Sequence, residues 1–283
     1  MGATGNERRG SRYIQWPLML KGKMNRSRLD RVGLGAFLAL CGLLLAIAGG
    51  VAYAEMVQVG PLVLRADGGF TPRELPRDRY VPIRFEGHAK ISSTNSEPVP
   101  PLQQMKLSFD RDGRITTKGL AVCSPTQIEG ATPQMARQAC KAAIVGSGHV
   151  GVTVNLPGNG PVKIESPLTL FNGPRQEGDL TVVAHAQTTF PKTETFVVVV
   201  PVERLKGGFS YRATVNLPKI AEGYGALTSA DGKIGKRYRS AGSERSYISA
   251  RCSDGILETQ GRLVFADGIV ILGSIFKPCS ALD

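Results

Sequence analysis

Apolar and polar positions alternate along most of the chain from Tyr80 onward, and strand-like stretches return about every twelve residues. Val81, Ile83 and Phe85 alternate within Tyr80 to Ile91, and Met105, Leu107 and Phe109 alternate before a turn at Asp110-Arg111-Asp112-Gly113. Further strands are predicted at Val150 to Leu156, Val162 to Phe171, Leu180 to Phe190, Thr195 to Leu205 and Phe209 to Leu217. Val197 to Val200 is continuously apolar, which predicts a central strand covered on both faces. One helix is predicted, at Thr132 to Ala143, with Thr132 as N-cap and Pro133 at the first helical position. The last third reads as a meander of Tyr247 to Cys252, Ile256 to Phe265 and Ile269 to Phe276, turned at Asp254-Gly255 and Asp267-Gly268. Glu55 to Arg79 mixes Pro, Gly and charge and reads as an extended arm. The expected fold is all-β: one antiparallel sandwich or flattened barrel over residues 80–283 with one short helix, two small sandwiches being the alternative. The echo of Thr153-Val154-Asn155-Leu156-Pro157 in Thr214-Val215-Asn216-Leu217-Pro218 reads as two strands ending in similar turns.

Residues 1–54 follow another pattern. Lys21, Lys23, Arg26, Arg28 and Arg31 precede an uncharged apolar run from Val32 to Ala54. Small residues at Ala52 and Ala54, before Glu55, complete a secretory signal peptide with cleavage after Ala54. An uncleaved membrane anchor is the competing reading, since such a run can span about 30 Å of hydrocarbon. A start at Met24 shortens the basic region and favours cleavage; a start at Met1 favours the anchor. Either way, residue 55 onward is expected outside the cytoplasm, secreted or tethered.

Cysteine usage fits that compartment. Beyond Cys41 the chain holds Cys123, Cys140, Cys252 and Cys279, an even set that reads as disulfides with three connectivities. Local pairing, Cys123 with Cys140 and Cys252 with Cys279, is preferred. In a flat meander Cys252 and Cys279 would lie about 9.6 Å apart, beyond the roughly 7 Å that a bond tolerates, so the tail must fold across or the sheet must curl. No C-x-x-C spacing points to zinc or thiol redox work.

Charge changes once the leader is set apart. The full chain has 35 basic and 23 acidic residues, a net charge of +12. Eight of the basic and two of the acidic ones precede Glu55, so the rest carries +6. Trp16, the single Trp, also belongs to the leader, which leaves no indole platform for sugar stacking. The densest remaining basic stretch is Lys233, Lys236, Arg237 and Arg239 around Tyr238, with Lys219 and Arg245 near in sequence. Its sharp reading is contact with an anionic envelope polymer or lipid; its plain reading is a strand edge guarded by cations. Nucleic acid is not an expected partner outside the cell.

Candidate chemistries are weaker. Gly146-Ser147-Gly148-His149-Val150-Gly151 fits G-x-G-x-x-G, but a strand and turn follow where a dinucleotide site needs a helix. Ser147 and His149 share a strand face and form the only nucleophile and base pair worth naming, without a G-x-S-x-G elbow or a marked third member. His88, His149 and His185 lack ligand spacing. Asp110-Arg111-Asp112-Gly113 opens like a calcium loop but has no closing bidentate acid. No cofactor, metal or catalytic residue is expected.

At Ile144-Val145-Gly146-Ser147-Gly148, Phe171-Asn172-Gly173-Pro174, Pro218-Lys219-Ile220-Ala221-Glu222-Gly223-Tyr224-Gly225 and Ala250-Arg251-Cys252-Ser253-Asp254-Gly255 the chain resembles a family of uncharacterised exported β-rich proteins of soil actinobacteria. The resemblance spans Tyr80 to Cys279 and implies a disulfide-bonded β domain outside the membrane, with no activity attached. The leading expectation is a non-enzymatic binding or structural protein of the envelope or medium. The alternatives are a carrier of a small apolar ligand and a secreted hydrolase using Ser147 and His149.

Overall fold

The structure, a computed structural model, describes residues 55–158 and 160–282. In chain order the first strands are β1 (Glu55–Val59), β2 (Leu62–Thr71), β3 (Glu74–Pro76), β4 (Val81–Pro82), β5 (Arg84–Ser93), β6 (Leu102–Asp110) and β7 (Gly113–Ile115). Helix α1 (Pro133–Ala139) leads into β8 (Ile144–Val154), β9 (Val162–Asn172), β10 (Leu180–Thr188), β11 (Glu194–Arg204) and β12 (Phe209–Asn216). The chain ends with β13 (Gly225–Ile234), β14 (Arg237–Ser240), β15 (Ser243–Ser246), β16 (Ile248–Ala250), β17 (Ile256–Phe265), β18 (Val270–Pro278) and β19 (Ser280–Leu282).

Twelve strands form one antiparallel sheet in the order β1-β2-β5-β13-β8-β9-β10-β11-β12-β6-β17-β18. The sheet curls until its edges β1 and β18 pack together, giving a nearly closed, barrel-like wall. An added Cβ at Gly273 in β18 would meet Val57 of β1 at 3.3 Å, so this glycine lets the edges approach. Past the start of β1, Lys277 Nζ donates to Asp67 Oδ1 at 2.5 Å and ties β18 to β2. Leu62, Leu64, Ile91, Leu102, Leu263, Phe265 and Ile271 fill the interior beside this seam. Phe85 of β5 and Phe109 of β6, on strands that are not neighbours, meet edge to face at 6.3 Å.

The expected arm is therefore not an arm. Glu55 to Thr71 supplies two strands of the wall, and its Leu62 and Leu64 are core residues. The glycines that made it look irregular belong to a sheet feature. Register aligns Gly68, Gly87, Gly232 and Gly148 across β2, β5, β13 and β8. A Cβ at Gly148 would lie 2.0 Å from the Asp231 carbonyl oxygen, and at Gly68 it would lie 3.1 Å from that of Glu86. At Gly68 and Gly148 the row lets neighbouring backbones approach closely, and the Phe85 ring lies over Gly68 and Gly87. The dinucleotide-like Gly146 and Gly148 of β8 serve this close approach to β13.

Two prolines shape the opposite side. The β9–β10 ladder covers only Val182 to His185 and stops short of Pro167, which has no N–H; Gln187 N donates instead to Ser166 Oγ at 3.0 Å. The β11–β12 ladder covers Val202 to Arg204 and stops at Pro201. The β10–β11 hairpin is thereby freed of both neighbours toward its tip, where Phe190 packs on Val152, Val154 and Ala221. As expected, β11 is used on both faces: Val198 and Val200 point into the interior and Val197 lies under the α1 segment.

That segment covers the outside of β8 to β11. Thr132 Oγ1 accepts from Met135 N at 3.3 Å and caps α1, which ends at Ala139 before a 3-10 turn over Lys141–Ala143. Ala136 and Ile128 pack on Phe171 and Val183, and a Cys123–Cys140 disulfide with Cα atoms 5.5 Å apart clips the segment together. Cys252 and Cys279 form the second disulfide, Cα atoms 6.0 Å apart. Its geometry is reached because β16 does not join β17 in a meander. Instead β16 lies between β4 and β7 in a small three-stranded sheet, and β19 pairs with β3 in parallel. The two disulfides are compatible with an extracytoplasmic location. The leader, Ala52, Ala54 and the anchor reading of residues 32–54 lie outside the described residues; among those described, no helix is long and apolar enough to cross a membrane.

Candidate functional site

The small sheet β4-β16-β7 lies at the end of the barrel where β6, β11 and β13 finish and β12 begins, and polar clasps fix it there. In the β6–β7 turn, Asp110 Oδ1 accepts from Asp112 N at 2.8 Å, and its Oδ2 accepts from Glu258 N of β17 at 2.9 Å. Asp112 is fully buried; it accepts from Arg251 Nε at 2.8 Å and from Ser253 N at 2.6 Å. Burial alone would raise the Asp112 pKa, but the bonds from Ser253 and Arg251 outweigh it and hold the carboxyl below its usual range. For Asp110 burial wins over its two amide donors, and the pKa is raised. Arg111 Nη2 donates to Asp254 Oδ2 at 2.9 Å on the outside of the same turn.

Beside these clasps is a cleft of about 180 Å³. Tyr80, Arg111, Arg114 and Arg204 line it, with the turn at Gly207 between β11 and β12 closing one side. Leu205 N donates to Ser210 O and Arg111 N to Gly208 O, so the turn is locked to the β6–β7 corner. Gly207 has φ +96°, and nothing lies within 4 Å of where a Cβ would be. The Arg114 guanidinium stacks 3.7 Å above the Tyr80 ring centroid, and that of Arg251 lies 5.3 Å from it. Arg251 and Arg111 each have a carboxylate; among the described residues Arg114 and Arg204 are in no ion pair. A second, open cleft of about 460 Å³ adjoins at the same end, lined by Thr116, Thr117, Lys118, Asn172 and Arg175 among others.

The basic stretch after Gly232 is split. Lys233 sits on the outer wall, in register with Glu86 and Ser147, and Lys236 Nζ donates to Ala142 O at 2.7 Å. Burial lowers the Lys236 pKa. Arg237 and Arg239 are exposed on the β14–β15 hairpin, which Tyr238 anchors by donating to Thr116 O and Lys118 O at 3.2 and 3.1 Å. Arg237 and Arg239 alternate with Tyr238 along the strand and are not among the residues that line the larger cleft. Lys219 follows β12 at the opposite end.

Ser147 and His149 lie on the outer face of β8, where the wall is convex and its N–H groups belong to the ladders with β9 and β13. His149 Nδ1 is 3.5 Å from Asp231 Oδ1, both side chains more than half exposed. No hydrogen bond joins Ser147 to His149 among those described. The acid beside His149 belongs to a surface row, Asp67, His88, Asp231 and His149, across β2, β5, β13 and β8. His185 lies apart, fully buried under the α1 segment, with Nε2 2.9 Å from Ala131 O and Nδ1 unpartnered. Burial lowers its pKa. The three histidines do not converge, and among the described residues no cluster has metal-holding geometry.

No family model, curated protein or solved structure matches the chain. The site therefore stands on its own geometry. Sequence reasoning had missed Tyr80, Arg111, Arg114 and Arg204; the signals were an arginine on each side of Asp112-Gly113 and Arg204 before Lys206-Gly207-Gly208.

Proposed function

We propose that the protein is an exported, non-enzymatic binding domain that engages anionic groups of the cell envelope through its Tyr80 end. The observation that carries this reading is the gathering of cations at this end: Arg114 and Arg204, without carboxylate partners among the described residues, at the smaller cleft, Lys118 and Arg175 at the larger one, and Arg237 and Arg239 exposed on the β14–β15 hairpin. Such a surface raises the local concentration of anions and binds them in a salt-dependent way. The disulfides support the compartment. The interior, packed with the side chains described above, supports binding at the end of the barrel over carriage of a ligand within it.

The test is sedimentation of the full chain with vesicles containing anionic phospholipid and with neutral vesicles, over a salt series. Binding to the anionic vesicles that weakens with salt, and weakens further in an Arg237→Ser, Arg239→Ser double variant, is the expected result. Equal binding to neutral vesicles, or none to either at low salt, refutes the reading.

A further inference from the structure

We infer that the Tyr80 cleft is a receptor for the dianion of a phosphate monoester, an inference that rests on the anionic reading of this end. Charge defines the ligand first. Two of the four guanidiniums around Tyr80 are committed: Arg251 to the buried Asp112 and Arg111 to Asp254. Among the described residues Arg114 and Arg204 have no carboxylate partner, and they face one small space, a local excess of two positive charges. A doubly charged ligand neutralises them; a carboxylate or a phosphodiester, each with one charge, neutralises half.

Pre-organisation is the second line. Arg114 is held by its face against Tyr80, which leaves the edge of the guanidinium, where the N–H groups are, free to meet oxygen acceptors. Holding that side chain before the ligand arrives removes part of the ordering cost of binding. The Asp112–Arg251 clasp keeps a second guanidinium near the same ring and so fixes the ring itself. Access is the third. The rim at Gly207 and Gly208 carries no side chain, so a phosphoryl group can seat in the cleft with what it is attached to left outside. The same chemistry occurs on a small free phosphomonoester and on a monoester lipid headgroup.

Calorimetric titration of the full chain with glycerol 3-phosphate, dimethyl phosphate and acetate tests the inference. The monoester is expected to saturate one site, with the two monoanions at least about tenfold weaker, as the loss of one charge-assisted hydrogen bond implies. Arg114→Gln and Arg204→Gln should each weaken the monoester about tenfold or more, and Lys219→Ser, at the opposite end of the barrel, should leave it unchanged. Arg204 is exposed at a strand end, so its variant keeps the test open if Arg114→Gln does not fold. Vesicles of phosphatidic acid, set against phosphatidylglycerol, separate the lipid source from a free one: preference for phosphatidic acid that is lost in Arg204→Gln assigns the headgroup, and glycerol 3-phosphate binding alone assigns the free ester. Equal affinity for acetate, or unchanged monoester binding in both Arg variants, overturns the inference. Salt-dependent vesicle binding that persists beside such a result leaves the broader function standing; its absence removes both.

Discussion

At the Tyr80 end, Asp110, Asp112, Arg251 and the Cys252–Cys279 bridge hold short strands across the barrel, while at the Phe190 end Phe190, Val152, Val154 and Ala221 close the wall by apolar contact. Directional bonds set side chains at defined positions but expose the structure to pH and reduction. Apolar contact is indifferent to both and specifies positions less sharply. The end with the stacked Arg114 is the one built from directional bonds. Precision has been placed where the clefts are.

The sharpest way to break this contrast is Asp112→Ala. It leaves Arg251 and the Ser253 N–H without their acceptor and should cost about 3 kcal/mol, the lower part of the range for a broken buried pair because the Arg251 side chain is 34% exposed. Because the folded pKa of Asp112 is depressed, its contribution is present above the unfolded value near 3.9 and is lost as pH falls through the folded one. Denaturant titrations from pH 3 to 7 should show a smaller acid-side loss in the variant than in the parent. Asp110 acts with opposite sign, since a raised pKa makes its ionisation costly as pH rises past the unfolded value. An Asp112→Ala protein of parental stability at pH 7 would refute the role of this clasp.

Of similar size are the losses on opening the disulfides. Replacing Cys252 and Cys279 by Ser opens a loop of 27 residues, and replacing Cys123 and Cys140 opens one of 17. Chain entropy gives about 3.5 and about 3 kcal/mol. The sharper difference is local: only the first pair should loosen the Tyr80 end and raise hydrogen exchange at Ala250 and Arg251. Equal exchange in both double variants there would contradict the division between the ends. The smallest effect belongs to Phe190→Ala, about 2 kcal/mol for a half-buried ring. Its cost should be the same at pH 3.5 and pH 7, and the monoester affinity should not move.

Much of the wall was legible in the sequence because local signals and tertiary demands agree. Met105 to Phe109 alternate and form β6, Thr132 caps a short helix, and Asp267-Gly268 turns β17 into β18, with Ile269 N donating to Asp267 Oδ1 at 3.0 Å. The same dipeptide misled at Asp254-Gly255. There Asp254 answers to Arg111, 143 residues away, and the flanking strands join different sheets. Val57, Val59, Leu62 and Leu64 carried a strand pattern that Gly68 and Gly69 obscured; Gly68 is there because β2 passes close to the β5 backbone at Glu86. The candidate site was least legible. Tyr80 meets Arg114 and Arg204 only through strand pairings that no local pattern encodes, and the basic stretch read as one patch is divided by a bend at Gly235 with φ +151°.

The glycine row links scattered positions. Residues 68, 87, 148 and 232 occupy four separate strands in one register, and at 68 and 148 a side chain would press on the backbone of the next strand. At Gly148 the obstacle to a side chain is the Asp231 carbonyl, a main-chain atom that no replacement of residue 231 removes. Substitutions along this row should therefore fail to rescue one another, and their combined effects should depart from the sum of the single ones. Sequences that keep this fold have little freedom to drift at residue 148, whereas residue 232, where a Cβ meets nothing closer than 4.0 Å, can change more freely.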